Sequence, residues 1–380
     1  MHIFYRVAGI ALVALLGACS TVPPAPARPP AASLVGVVPA VPVADAPLRV
    51  IAVGDIMLDG TSRPVLAQNG YDYAFAGVKH LFGAAPIIFG NLEGPLTDRG
   101  TAEQDKTYVF RSPPDKVSQA LAGAGFNVVS LANNHTLDYG ADGLVQTIET
   151  LDAAGIAYAG AGPDLKAARR PAILEAGGKR VAILAYSLTL PENFYAAPGK
   201  PGTAFGHEGH VRADVQAARK QADIVLVSFH WGQEGKTELR EYQVRLGRLA
   251  IDAGAAAVIG HHPHILQGIE HYRDGVILYS LGNFTFGSYS RRAQVSAVAE
   301  LVFDGDRVGE LRMHPISVNN FEVEFQPRPL PPAAAERVVA ELTELSAARQ
   351  TRVANEAGVA IVRLPVAVAQ QPGSANTTAR

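Results

Sequence analysis

Ala256-Ala257-Val258-Ile259-Gly260-His261-His262-Pro263-His264 is a short apolar run that ends in three imidazoles around one proline. Four other apolar runs end the same way. Residues 50–53 lead to Gly54-Asp55, and 86–89 to Gly90-Asn91-Leu92-Glu93. Residues 128–131 lead to Asn133-Asn134-His135, and 224–229 to His230. Carboxylate, amide and imidazole groups are oxygen and nitrogen donors that divalent metals accept. Near-continuous Val/Ile/Leu runs suit strands buried on both faces. Helical patterns over 114–124, 141–154, 211–221 and 239–253 separate them, and 181–185, 276–279 and 298–303 add further strands. The alternation predicts an α/β layered fold. Such sheets place ligand sites beyond the carboxyl ends of their strands, so the polar motifs read as one constellation.

The composition sets the bounds. With 380 residues, 48% of them apolar, the chain can bury a full core, and the net charge of −2 gives no electrostatic case for nucleic acid. No P-loop, dinucleotide fingerprint, Gly-x-Ser-x-Gly elbow or internal repeat is present. The single cysteine, Cys19, excludes an internal disulfide framework.

Residues 7–16 form an apolar run too short to span a bilayer. Leu16-Gly17-Ala18-Cys19 follows and resembles the lipobox of bacterial lipoproteins. That resemblance implies a signal peptide over 1–18, lipidation of Cys19 and anchoring to a membrane on the exported side. Ser20 at the next position points to the outer membrane in a two-membrane cell. The Pro/Ala-rich 19–48 stretch reads as a tether. A helix near 333–348 and a strand near 359–364 form a C-terminal extension over 322–369, and 370–380 is expected to be disordered.

Spacing suggests roles within the motifs. Asn91 and Glu93, two apart, share one side of an extended chain, as do His262 and His264. His261 would then point away and pack or hydrogen-bond. Asn133 or Asn134 can supply a ligand oxygen, or one of them can cap the helix beginning near 141. Asp138 is close enough in sequence to His135 to orient its ring. His230 is a candidate ligand through either nitrogen.

Together these motifs resemble those of the CapA family of bacterial capsule and poly-γ-glutamate synthesis proteins, grouped with the calcineurin-like metallophosphoesterases. The resemblance spans 49–321. It implies a four-layer α/β-β/α sandwich with a dinuclear site. Asp55, Glu93, Asn134, His230, His262 and His264 would hold two divalent cations (manganese, iron or zinc). His135 would act as general acid, oriented by Asp138. The wider superfamily opens with Asp-x-His, whereas this chain has Asp55-Ile56-Met57, and Glu93 stands where an Asp is usual. Arg111, in a CapA-like Lys106–Arg111 segment, and Asn283 are candidate substrate contacts. His207 and His210 lie in a Gly/Pro-rich stretch around 191–209 that can serve as a lid, and neither receives a role. Two functions follow. One is a metal-dependent hydrolase acting on an ester or amide of an envelope polymer or small metabolite. The alternative is a non-catalytic component that binds an anionic capsule polymer, working with capsule-synthesis membrane proteins.

Overall fold

The computed structural model describes residues 47–365. Cys19 and its lipobox, nearly all of the 19–48 tether and the 370–380 tail lie outside the described residues. Two large sheets organise the chain. In the first, strands Ala354–Glu356, Val359–Arg363, Arg307–Ser317, Val295–Asp304, Arg49–Met57, Ile87–Leu92, Val128–Ser130 and Ala157–Ala159 lie side by side in that order. Strand Asn283–Phe286 pairs in parallel with the upper part of Arg49–Met57. The second sheet runs Ile269–Tyr272, Gly275–Leu278, Ala257–His261, Ile224–His230, Lys179–Ser187, Ala172–Ala176.

The period-two alternation of strand side chains makes the layers. Val50 and Ala52 enter a core shared with Val181, Ile183, Leu226 and Ile259 of the second sheet. Their neighbours Ile51 and Val53 face outward onto Leu66, Phe75, Val117, Leu121 and Leu144. In the second sheet Ala182, Leu184 and Tyr186 turn away from the shared core onto Val211, Val215, Leu246 and Ala250 of helices Glu208–Ala218 and Glu241–Ala253. Helix, sheet, sheet, helix is the four-layer sandwich expected. Truncating a fully buried member such as Ile51 or Phe229 to alanine should cost about 2–5 kcal/mol.

The C-terminal segment is part of this core. Strand Val359–Arg363 pairs antiparallel with Arg307–Ser317, and helix Pro332–Ala347 buries Val338, Val339 and Leu342 in the inter-sheet layer. Strand Arg307–Ser317 was not foreseen. Its charged residues obscure the apolar alternation of Leu311 and Met313, and a register shift opposite Val302–Phe303 puts buried Val308 out of phase with them. On the other face Glu310 pairs with Arg312 two residues along its own strand and with Arg363 on the neighbouring strand. Among the described residues no helix is long and apolar enough to cross a membrane.

Candidate metal centre

The motifs meet where the first-sheet strands run into loops facing the 261–264 turn. Asp55 is not at a strand end, as its sequence position suggested. The strand continues to Met57, with a register irregularity between Ala52 and Asp55. Gly54 explains the break: a Cβ there would lie 1.9 Å from the carbonyl oxygen of Gly282. The missing side chain lets Asn283 come into register with Asp55, whose N–H donates to the Gly282 oxygen at 3.0 Å. Across the site, a Cβ on Gly260 would meet the Tyr279 oxygen at 2.0 Å. Trp231 Nε1 donates to that same oxygen at 2.8 Å, and its ring stacks on Phe229 at 4.5 Å, fixing the chain just beyond His230.

His262 and His264 do share a face, but not through an extended segment. Their φ angles are 94° and 60°, left-handed values that cost non-glycine residues on the order of 1–3 kcal/mol each. The turn brings their ring centroids to 5.8 Å. His261 points away, with Nε2 at 3.1 Å from the Val53 oxygen and Nδ1 at 3.2 Å from Ser228 Oγ. It serves packing, as expected.

Six groups converge. His264 Nδ1 lies 3.2 Å from Asp55 Oδ2 and 2.9 Å from Asn283 Oδ1. His230 Nε2 is 2.7 Å from Asn134 Oδ1. Glu93 Oε1 stands 3.8 Å from both His230 Nε2 and His264 Nε2. That oxygen is buried without a hydrogen-bond partner, and so is His262 Nδ1. Donor atoms of Glu93, His230 and His262 lie within 4.8 Å of one another, as do those of Asp55, Glu93 and His264. Asn91, given no role beyond its spacing, is the hub. Its Nδ2 donates to Asp55 Oδ1 at 2.8 Å, lies 3.4 Å from Glu93 Oε2 and sits 3.3 Å from His230 Nδ1.

The electrostatics describe a cluster short of positive charge. Burial, and then the adjacent Asp55 carboxylate, push the Glu93 carboxyl well above its usual range. Burial opposes ionisation of Asp55 as well, but the hydrogen bond and charge of His264 outweigh it and hold that carboxyl low. Burial likewise disfavours charge on His264, yet Glu93 and Asp55 raise it to about 10. Burial drives His262 down to about 3, and His230 well below the usual imidazole range. One imidazolium is therefore paired with two buried carboxyls beside two neutral imidazoles. A divalent cation fits this donor set: Glu93 Oε1 and His262 Nδ1 are buried polar atoms without a hydrogen-bond partner, one oxygen and one nitrogen of the kinds that divalent metals accept.

The Asn133-Asn134 pair divides its labour. Asn134 faces His230. Asn133 donates to Asn91 Oδ1 and to the Leu92 oxygen, and accepts from the His135 N–H at 3.1 Å. Neither caps a helix, because Gly140–Ala153 begins beyond Tyr139 with no side-chain cap. His135 Nδ1 lies 2.7 Å from Asp138 Oδ2, with the Phe110 ring 4.8 Å from its own. Burial lowers the His135 pKa against the pull of Asp138. Lys106, quoted in the sequence only as part of a motif, pairs with Asp138 and sits 3.2 Å from His135 Nδ1. Its Nζ lies 5.1 Å from the Phe194 ring, which belongs to the 191–209 stretch. No spacing rule could have found it, since 32 residues separate Lys106 from Asp138.

Of the two candidate substrate contacts, Asn283 belongs to the cluster as a partner of His264. Arg111 lies with its guanidinium 4.6 Å from the Tyr139 ring, and its N–H donates to Asp59. Neither contact joins it to the donors. His207 accepts from the Gly209 N–H and caps helix Glu208–Ala218, with the His210 ring 5.4 Å away.

Fold and site together define a four-layer α/β protein with a buried carboxylate–imidazole cluster at its strand ends. The family model of the bacterial capsule synthesis protein PGA_cap matches residues 49–288, and the chain belongs to that family. It is 31% identical over 304 residues to the capsule biosynthesis protein CapA of Bacillus anthracis, covering 78% of this chain and 73% of the relative. It is 33% identical over 269 residues to the PGA biosynthesis protein CapA of Bacillus subtilis (strain 168), covering 70% of each. Among solved structures, Haemophilus influenzae NAD nucleotidase aligns with 78% of this chain and 56% of that one, at 13% identity and a TM-score of 0.44.

Proposed function

We propose that this capsule-family protein is an exported, lipid-anchored hydrolase of the cell envelope, holding a pair of divalent cations in the cluster. Asp55, Glu93, Asn134, His230, His262 and His264 hold them. Glu93 Oε1, buried and unpartnered between two imidazole nitrogens, is the observation that carries the reading. When bound, such cations activate water and stabilise charge on the attacked centre. The chain's own residues do the rest. Asp138 and Lys106 fix the Nδ1 side of His135, leaving Nε2 to protonate a leaving group. Asn91 and Asn133 hold the donor loops in register. The substrate is an ester or amide of an anionic envelope polymer or of a small metabolite. Cys19 supplies the anchor, and the Pro/Ala-rich stretch after it supplies reach.

The test is turnover of phosphoesters and γ-glutamyl amides by metal-loaded protein, compared with a His135→Ala variant. The variant should keep its metal content and lose turnover by a factor of about 10² or more. Unchanged turnover would remove His135 from the chemistry. A metal-loaded parent inert on every substrate, yet retaining an anionic polymer in sedimentation, would replace hydrolysis with binding.

A further inference from the structure

Glu234 lies outside the six groups above, and its surroundings set it apart. It is exposed, yet its carboxylate lies with donor atoms of His262 and His264 in a third triad, all within 4.8 Å of one another. Among the described residues it has no hydrogen bond or ion pair. The turn carrying it, in contrast, is tied down at several points. The Trp231 N–H donates to the His261 oxygen at 3.1 Å and the Gly235 N–H to the Pro263 oxygen at 2.9 Å. The Gly232 N–H donates to Tyr242 Oη at 2.7 Å, and Gln267 Nε2 to the Lys236 oxygen at 2.9 Å. Three of these four bonds link residues 231–236 to 261–267, the segment that bears both imidazoles. The backbone is thus held in register with His262 and His264 while the Glu234 carboxylate faces them within 4.8 Å without a hydrogen bond of its own. His262, more than nine-tenths buried, presents an unpartnered Nδ1 in the same cluster.

We propose that Glu234 is a metal ligand which, with His262 and His264, completes a solvent-facing cation position. This rests on the metal-centre reading above and adds an asymmetry to it. Glu93 and His230 are buried and hold the inner cation. The outer cation depends on an exposed carboxylate, so it binds more weakly and exchanges with solvent. Losing one anionic ligand should weaken that position alone.

The experiment is manganese titration of the full chain, with calorimetry for affinities and electron paramagnetic resonance for pairing, on the parent, Glu234→Gln and Glu234→Asp. The parent should bind two classes of manganese and show an exchange-coupled spectrum. In Glu234→Gln the tighter class should keep its Kd, while the weaker class loses about tenfold or more and the spectrum becomes that of isolated ions. Glu234→Asp should fall between. Because the side chain is exposed and unpaired, all three proteins should melt alike without metal. If both classes in Glu234→Gln stay within about twofold of the parent, the assignment of Glu234 is overturned and the metal centre stands. A parent that takes up no manganese overturns both.

Discussion

Replacing Glu93 with Gln should separate the stability of this fold from its capacity to bind metal. In metal-free protein the Glu93 carboxyl is buried beside Asp55, and Oε1 has no partner. An unsatisfied buried polar group costs about 1–3 kcal/mol, and more when charged. Because its folded pKa is raised, ionisation of the group weakens the protein above the unfolded carboxyl pKa, and that ionic part of the cost is absent below it. Glu93→Gln should therefore stabilise the metal-free protein by about 1–3 kcal/mol at pH 7–8, with the gain vanishing near pH 4. Added metal reverses the order. At a free concentration of 100 Kd a cation stabilises the parent by about 2.7 kcal/mol, and should add little to the variant. Urea unfolding in EDTA and in excess manganese, at both pH values, measures all four terms. The reasoning is refuted if Glu93→Gln is less stable than the parent in EDTA at pH 7, or if manganese stabilises both equally.

Away from the site, His314, Arg49 and Arg312 hold the Glu300 carboxyl at about 2, against an ordinary value of 4.5. That gap is worth about 3 kcal/mol, reduced to about 2 by solvent around the arginines, and it is present above pH 4.5 and lost as pH falls toward 2. Glu300→Gln should lose that amount in urea unfolding at pH 7 and match the parent near pH 2. Gly54→Ala places a methyl 1.9 Å from the Gly282 oxygen, so it should cost about 3 kcal/mol or more and lower metal uptake, both read from melting with and without manganese. Lys106→Met removes the cation paired with buried Asp138 and should destabilise by about 3 kcal/mol, with Lys106→Arg recovering part of it in the same unfolding assay.

The layers were legible in the sequence because most of the parallel strands carry a near-continuous apolar run and the helices between them keep helical periodicity. Strand Arg307–Ser317 was not, since its charged, ion-paired face masks the alternation that burial imposes. The candidate donors were legible for a related reason. A His, Asn or Glu directly after an apolar run has few roles other than the site those runs converge on. Local geometry was harder to read. His262 and His264 share a face through left-handed backbone rather than a strand, and Asp55 sits within a strand displaced by Gly54. Asn91 and Lys106 carry no motif signature of their own. Their importance comes from contacts across 36, 139 and 32 residues of chain, which only the fold brings together.

Elemental analysis of the full chain, beside a His262→Ala/His264→Ala double variant, tests the central claim most directly. About two equivalents of manganese, iron or zinc are expected in the parent, and their loss in the double variant. A folded parent that stays empty after incubation with each of these metals would contradict it.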